Sequence, residues 1–392
     1  MTAPLGFRAA GVAAGIKPGR PDLALIVADG PCSAAGVFTA NRAQAAPVLV
    51  SKRHLAGGRA RAIVANAGCA NAATGERGLA DAREMAELTA GAVGCGATEV
   101  VVASTGVIGV ALPMARVREG IGAAAAALSR DGGHAAARAI LTTDTRPKQV
   151  LLECSLEGRP VRVGGMAKGA GMIAPDLATL LAFFTTDAGV EPEPLQAALR
   201  EAVAQSFNRI TVDGDTSTND MAVVLASGAG PAPPVRGPGA SYDAFRDALT
   251  EAARRLAAMI VRDGEGATRV AEVRVEGARS AAEADRIART VAESPLVKTA
   301  LNGADPNWGR ILAAVGRAGV ELDMDAVDLF LGDVWVAEQG RARDYDEEQA
   351  HQALLEDPVR IRVRLRAGTA AGWIWTCDLS KGYVDINASY RS

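Results

Sequence analysis

Histidine is nearly missing from this chain. Three occur in 392 residues, His54, His134 and His351, each beside charged or Ala/Gly-rich sequence rather than at the end of an apolar run. A Ser-His-Asp or Cys-His arrangement therefore lacks a good general base, and no HExxH pattern offers a metal site. Cysteine excludes as much. Cys32, Cys69, Cys95, Cys154 and Cys377 are odd in number, widely spaced and without a CxxC, which argues against a disulfide scaffold or a paired-cysteine metal centre and fits reduced thiols. Aromatics are only 4% of the residues, so packing rests on Ala, Gly and aliphatic side chains. No apolar run reaches the roughly 18 residues of a membrane helix, and the N-terminus lacks a charged region followed by an apolar one; the expectation is a soluble, cytoplasmic protein. Neither sign of charge dominates: 42 Lys+Arg against 45 Asp+Glu leave a net charge of −3. No global field draws the chain toward nucleic acid or an anionic membrane.

What is present describes a folded, mixed α/β chain. Hydrophobic residues make up 49% and charged residues 22%, and the length allows two or three domains. Short β-branched runs at 62–64 and 100–102 read as buried strands followed by Gly-containing turns. Tyr242, Phe245, Leu249, Ala253, Leu256 and Ile260 recur at helical spacing. Ser280 with Glu283 forms a capping-box pattern, and Pro295 stops the helix that follows. Val359, Ile361, Val363 and Leu365 alternate with Arg360, Arg362, Arg364 and Arg366, a strand whose arginine face is expected to be solvated. The Pro-rich stretch 228–240 reads as a loop or lobe boundary.

Three polar, Gly-rich clusters carry whatever chemistry there is. Ser104-Thr105-Gly106 ends a strand, where hydroxyl and backbone N–H groups can stabilise an oxyanion. Gly164 to Gly171 contains Lys168, but Gly169 stands where a Walker loop needs Ser or Thr. It leads to Ala178-Thr179 and the apolar run 180–184. A threonine hydroxyl needs an adjacent base, and its own α-amino group can be that base once the preceding peptide bond is cut. Such an amine has a pKa of about 7.7–8, partly neutral near pH 7. The third cluster, 206–220, carries Asp213, Asp215 and Asn219 without the Glu or the helix–loop–helix setting of a calcium loop, and reads as hydrogen-bonded loop structure.

In this order, together with 14–17, 22–26, 45–48, 142–145, 263–268 and 303–311, these clusters resemble the ornithine acetyltransferase family, also called glutamate N-acetyltransferase or ArgJ, from Gly6 to Ser392. The resemblance implies a precursor that cuts itself between Ala178 and Thr179, giving chains 1–178 and 179–392 that stay together and associate further as an (αβ)2 tetramer. It implies an α-β-β-α sandwich similar in layering to N-terminal nucleophile hydrolases, with a smaller C-terminal lobe at about 240–360. It implies a ping-pong transfer in which N2-acetylornithine acetylates Thr179 and glutamate takes the acetyl group. The cycle needs no cofactor and no metal, and acetyl-CoA is the candidate second donor. Carried over by position, Thr105 and Gly106 form the oxyanion hole, and Thr145, Lys168, Thr179, Glu265, Asn387 and Ser392 contact the substrate. A self-cleaving aminopeptidase of related fold is the alternative; it shares the nucleophile and oxyanion hole but has no need of Lys168, Glu265 and Ser392. Asp176-Leu177, Cys69 and Leu301-Asn302 depart from the common pattern, and neither Asp176 nor Cys69 is expected to touch a catalytic group.

Overall fold

The computed structural model describes residues 1–174 and 180–389; Ala178, Thr179 and Ser392 lie outside them. Two compact units emerge, one of residues 1–208 and 215–260, the other of 209–214 and 261–390. The first unit contains, in chain order, β1 (Phe7–Val12), β2 (Leu23–Phe38), α1 (Ala46–His54), β3 (Arg59–Cys69), α2 (Gly75–Val93), β4 (Val100–Val107), α3 (Met114–Ala126), α4 (Gly133–Ala139), β5 (Lys148–Leu156), β6 (Arg159–Lys168), β7 (Leu181–Thr186), α5 (Pro192–Ala204), β8 (Met221–Ala226) and α6 (Ala240–Arg262).

Its strands form one hydrogen-bonded sheet in the order β4-β3-β2-β8-β7-β6-β5, with β1 also on β2. The 16-residue β2 makes this sheet into two layers. Leu23–Val27 pair with β3, the register shifts before Cys32, and Ser33–Phe38 pair with β8. Side-chain parity shows the consequence, since alternate residues of a strand face opposite sides. Phe7, Ile26, Ile63 and Val101 share one buried cluster with Met166, Phe183 and Val223 from the other half of the sheet. Their neighbours Leu25, Val64 and Val102 pack instead with Met85 of α2 and Val117 and Ile121 of α3. On the far layer α5 lies against β2 and β8, and Gln196 bonds both backbone groups of Gly36. The expected α-β-β-α layering is thus met in this unit. Each large side chain buried in it contributes about 1.5–3 kcal/mol.

The second unit holds β9 (Val270–Ala278), α7 (Ala281–Ala292), α8 (Pro295–Asn302), α9 (Trp308–Gly316), β10 (Asp328–Leu331), β11 (Val334–Glu338), β12 (Arg341–Ala342), α10 (Glu347–Ala353), β13 (Val359–Arg364), β14 (Ala370–Cys377) and α11 (Lys381–Ser389). Its sheet runs β12-β11-β10-β13-β9-β14, and Val273, Val275, Ile287, Val291, Ile361 and Val363 fill its core. Ser280 caps α7 by accepting the Glu283 N–H at 3.2 Å, while the Glu283 side chain accepts from Arg279 at 3.0 Å rather than closing the box.

Two expectations change. The smaller unit, expected at about 240–360, comprises 209–214 and 261–390, and α6 belongs to the first unit up to Ile260. The arginine face of β13 is not simply solvated. Arg362 and Arg364 lie 4.2 and 4.9 Å from the Phe330 ring centre, and Arg364 and Arg366 reach the buried Asp328 carboxylate at 2.8 and 3.1 Å. No helix among the described residues is long and apolar enough to cross a membrane.

Candidate active site

In the first unit the polar groups collect where β3, β4 and β6 end. Parallel pairing of β3 with β4 sets Gly68 opposite Gly106 and Ala67 opposite Thr105, with an irregularity at Cys69. Gly106 has φ +131°, and a Cβ there would come 2.4 Å from the Gly68 carbonyl carbon and 2.6 Å from the Cys69 nitrogen; only glycine fits. Cys69 therefore meets the Thr105–Gly106 strand end through its backbone, contrary to expectation, while its thiol lies 3.2 Å from the Val110 carbonyl. Behind this end Ser104, fully buried, donates to Asn66 at 2.6 Å. Asn219 donates to the carbonyls of Ala70 and Ser104 at 2.6 and 2.9 Å. The cluster 206–220 thus supplies the hydrogen-bonded support read from its composition.

Lys168, at the end of β6 and 8% exposed, donates to the Thr105 hydroxyl oxygen at 3.3 Å. With its oxygen accepting from a cation, the Thr105 hydroxyl keeps its own proton to donate. Next to Lys168 stands Asp144, which accepts from the Gly169 N–H at 2.7 Å, the Thr142 N–H at 3.1 Å and the Lys148 ammonium at 2.6 Å. Burial would push the Asp144 carboxyl up, but Lys168 and Lys148 outweigh it and hold the pKa at about 2. Thr145, one residue on, is exposed. Asp220 ends the loop before β8 and behaves oppositely. Complete burial pushes its carboxyl well above the usual range, although Ser217, the Leu180 N–H and nearby Lys168 favour the charge.

In the second unit Glu265, 8% exposed, accepts from the Asn387 side chain at 2.7 Å, so these two predicted residues do meet. Asn387 also donates to the Tyr383 carbonyl one turn back in α11. Gly266, at φ +68°, lets α11 close on this turn, since a Cβ would sit 2.3 Å from the Tyr383 nitrogen. Asp378 pins the same turn by accepting from the N–H groups of Thr268 and Arg269 at 2.7 and 2.9 Å. Asn302, which departs from the common pattern, donates to Asp378 at 2.7 Å.

The three histidines stand apart from these groups. His54 and His351 set a ring nitrogen 2.8 Å from the carbonyls of Val100 and Ala304, and His134 sets one 2.8 Å from the Gln149 side chain. Sequence reasoning missed Asp144, Lys148 and Asp220. The only local signal was the i,i+4 spacing of Asp144 and Lys148 across a Thr-rich loop.

A family model described as the ArgJ family matches residues 8–392. The chain belongs to the ArgJ family. A relative called arginine biosynthesis bifunctional protein ArgJ, from Symbiobacterium thermophilum, is 51% identical over 395 residues, covering 100% of this chain and 98% of its own. One of the same name from Dehalococcoides mccartyi is 49% identical over 100% of this chain and 97% of its own. A crystal structure of the ArgJ protein of Bacillus halodurans aligns at TM-score 0.51 with 45% identity, over 53% of this chain and 98% of that one. The ArgJ match runs through both units, so neither polar cluster sits on an appended segment.

Proposed function

We propose that this chain is a self-processing acetyltransferase that moves the acetyl group of N2-acetylornithine to glutamate, with Thr179 as nucleophile. The observation that carries the reading is the strand end where Thr105 and Gly106 meet Lys168, in a chain of the ArgJ family. In processing, the Thr179 hydroxyl attacks the Ala178 carbonyl carbon, the peptide C–N bond breaks as an ester forms, and water hydrolyses the ester to free both ends. In transfer, the Thr179 oxygen attacks the acetyl carbon, its proton passing by way of the new α-amine to the departing ornithine nitrogen. The glutamate amine then attacks the acetyl ester and the proton returns to the threonine oxygen. Thr105 and Gly106 stabilise the oxyanion of each tetrahedral intermediate. Lys168 takes a substrate carboxylate and Glu265, aided by Asn387, a substrate ammonium; Thr145 and Ser392 complete the contacts.

Two further parts of the reading have support. Pairing of β6 with β7 from Val163–Thr186 to Lys168–Leu181 gives the processed chains, 1–178 and 179–392, a reason to stay together as the heterodimer from which the (αβ)2 tetramer is built. The bifunctional name of the relatives supports acetyl-CoA as second donor, which incubation with glutamate in the absence of acetylornithine would test.

Intact-mass measurement tests the core of the reading. Fragments of 178 and 214 residues (392 − 178 = 214) are expected, and Thr179→Ala abolishes both cleavage and transfer; full-length protein alone in the wild type rejects it. With an α-amine as base, kcat/KM falls below about pH 8, and His54→Gln, His134→Gln and His351→Gln each leave that limb in place.

A further inference from the structure

Donor and acceptor make different demands on one pocket. Both carry an α-carboxylate, but glutamate ends in a second carboxylate where N2-acetylornithine ends in an ammonium. On the function proposed above, on which this inference rests, Lys168 answers one carboxylate. A second carboxylate drawn out of water without a cation is strongly disfavoured. Lys148 is not that cation, being 1% exposed and already ion-paired with Asp144 at 2.6 Å.

We infer that Lys17 is the residue that recognises the side-chain carboxylate of the acceptor. Its loop is built rather than incidental: the wholly buried Asp22 carboxylate accepts the N–H groups of Ala14 and Lys17 at 2.6 and 2.7 Å. The Lys17 stem then crosses the end of β3, where a Cβ on Gly68 would come 2.7 Å from its Cγ. Gly68 is the register partner of Gly106, so the stem runs directly beside the Thr105–Gly106 strand end. The ammonium donates to the Leu141 carbonyl at 2.6 Å, immediately before the 142–145 loop that carries Asp144 and Thr145. Besides burial, Asp22 acts on the Lys17 charge most and favours it, Arg20 and Lys168 oppose it, and Asp144 favours it, so Lys17 lies within the field of the Lys168–Asp144 cluster. An ammonium has three donors and a carbonyl is neutral, so the bond to Leu141 leaves both charge and donors for a ligand. Half-burial disfavours that charge, and an incoming carboxylate restores it.

The test compares wild type, Lys17→Gln and Lys17→Arg in three assays: transfer to glutamate, transfer to glutamine, and exchange of labelled ornithine into acetylornithine. Lys17→Gln is expected to raise KM for glutamate by about tenfold or more, with the KM for acetylornithine changed less than about twofold. Lys17→Arg keeps the charge and brings the glutamate KM back toward wild type. An equal rise for donor and acceptor makes Lys17 a structural tie and overturns the inference, as does no change for either. Should Lys17→Gln not fold, the wild type still decides, because glutamine serving as well as glutamate means no cation reads that carboxylate. Failure of the underlying function looks different: the wild type would catalyse no ornithine exchange.

Discussion

Asp144 in the first unit and Asp328 in the second both have carboxylates shielded from solvent, and they are held in different ways. Asp328 opens β10 and faces Arg364 across the ladder. Its arginine partners, Arg364 and Arg366, remain 43% and 47% exposed and reach in from the surface. Asp144 lies in a loop without regular structure, its ion-pair partner Lys148 is only 1% exposed, and Lys168 beside it is turned to Thr105. Guanidinium forks at a rim close a surface and fix strand register, and their loss is softened by water. Lysines gathered with a carboxylate in the interior hold charge where water cannot, an arrangement with little structural return that suits a site for charged ligands.

The contrast is tested most severely by Asp144→Ala. It removes the carboxylate from a buried ammonium and the acceptor from two backbone N–H groups, and should cost about 3–5 kcal/mol in chemical denaturation; a loss as small as that of a surface pair would erase the distinction. Thr105→Ala comes next. On the proposed function it removes one oxyanion donor and lowers kcat about 10²–10³-fold, roughly 3–4 kcal/mol, with the melting temperature nearly unchanged, and an effect confined to KM would assign Thr105 to uniform binding. A third measurement is acid unfolding. The Asp144 carboxyl titrates at about 2 in the folded state against about 3.9 unfolded. Its contribution, about 2–3 kcal/mol, is therefore full above about pH 5 and lost as the pH falls through about 2; Asp144→Asn removes that part of the acid dependence. The smallest effect belongs to the other aspartate. Arg366→Ala leaves Asp328 bonded to Arg364 and to the Gln339 N–H at 3.0 Å, and should cost less than about 1 kcal/mol.

Much of the local structure could be read from the chain. The runs 62–64 and 100–102 lie inside β3 and β4, the spacing from Tyr242 to Ile260 marks α6, and Ser280 caps α7. These signals are local, set by periodicity and by a side chain three residues from its partner. The bend of β2 could not be read, because pairing with β3 at one end and β8 at the other depends on strands far apart in sequence. The arginines of β13 misled for the same reason, since alternation is blind to Phe330 and Asp328 on the neighbouring strand. The resemblance named Thr105, Gly106 and Lys168 in the first unit and Glu265 and Asn387 in the second. Asp144, Lys148, Asp220 and Lys17 were given no role by the sequence, and only the structure draws them together from separate loops and strand ends.

The strand order β4-β3-β2-β8-β7-β6-β5 has a consequence for when the proposed scission can occur. β7 and β8 come from the second product, and they are inserted between β2 and β6 of the first. The smaller product thus leaves a gap two strands wide in its own sheet, and the larger one brings two strands of this sheet with no neighbours beyond them. Neither is a finished folding unit. The uncut polypeptide supplies the tether that keeps the two interdigitating pieces at high effective concentration while they thread together. Cleavage then belongs after assembly, and genes encoding the two pieces separately should yield far less active protein than the single precursor.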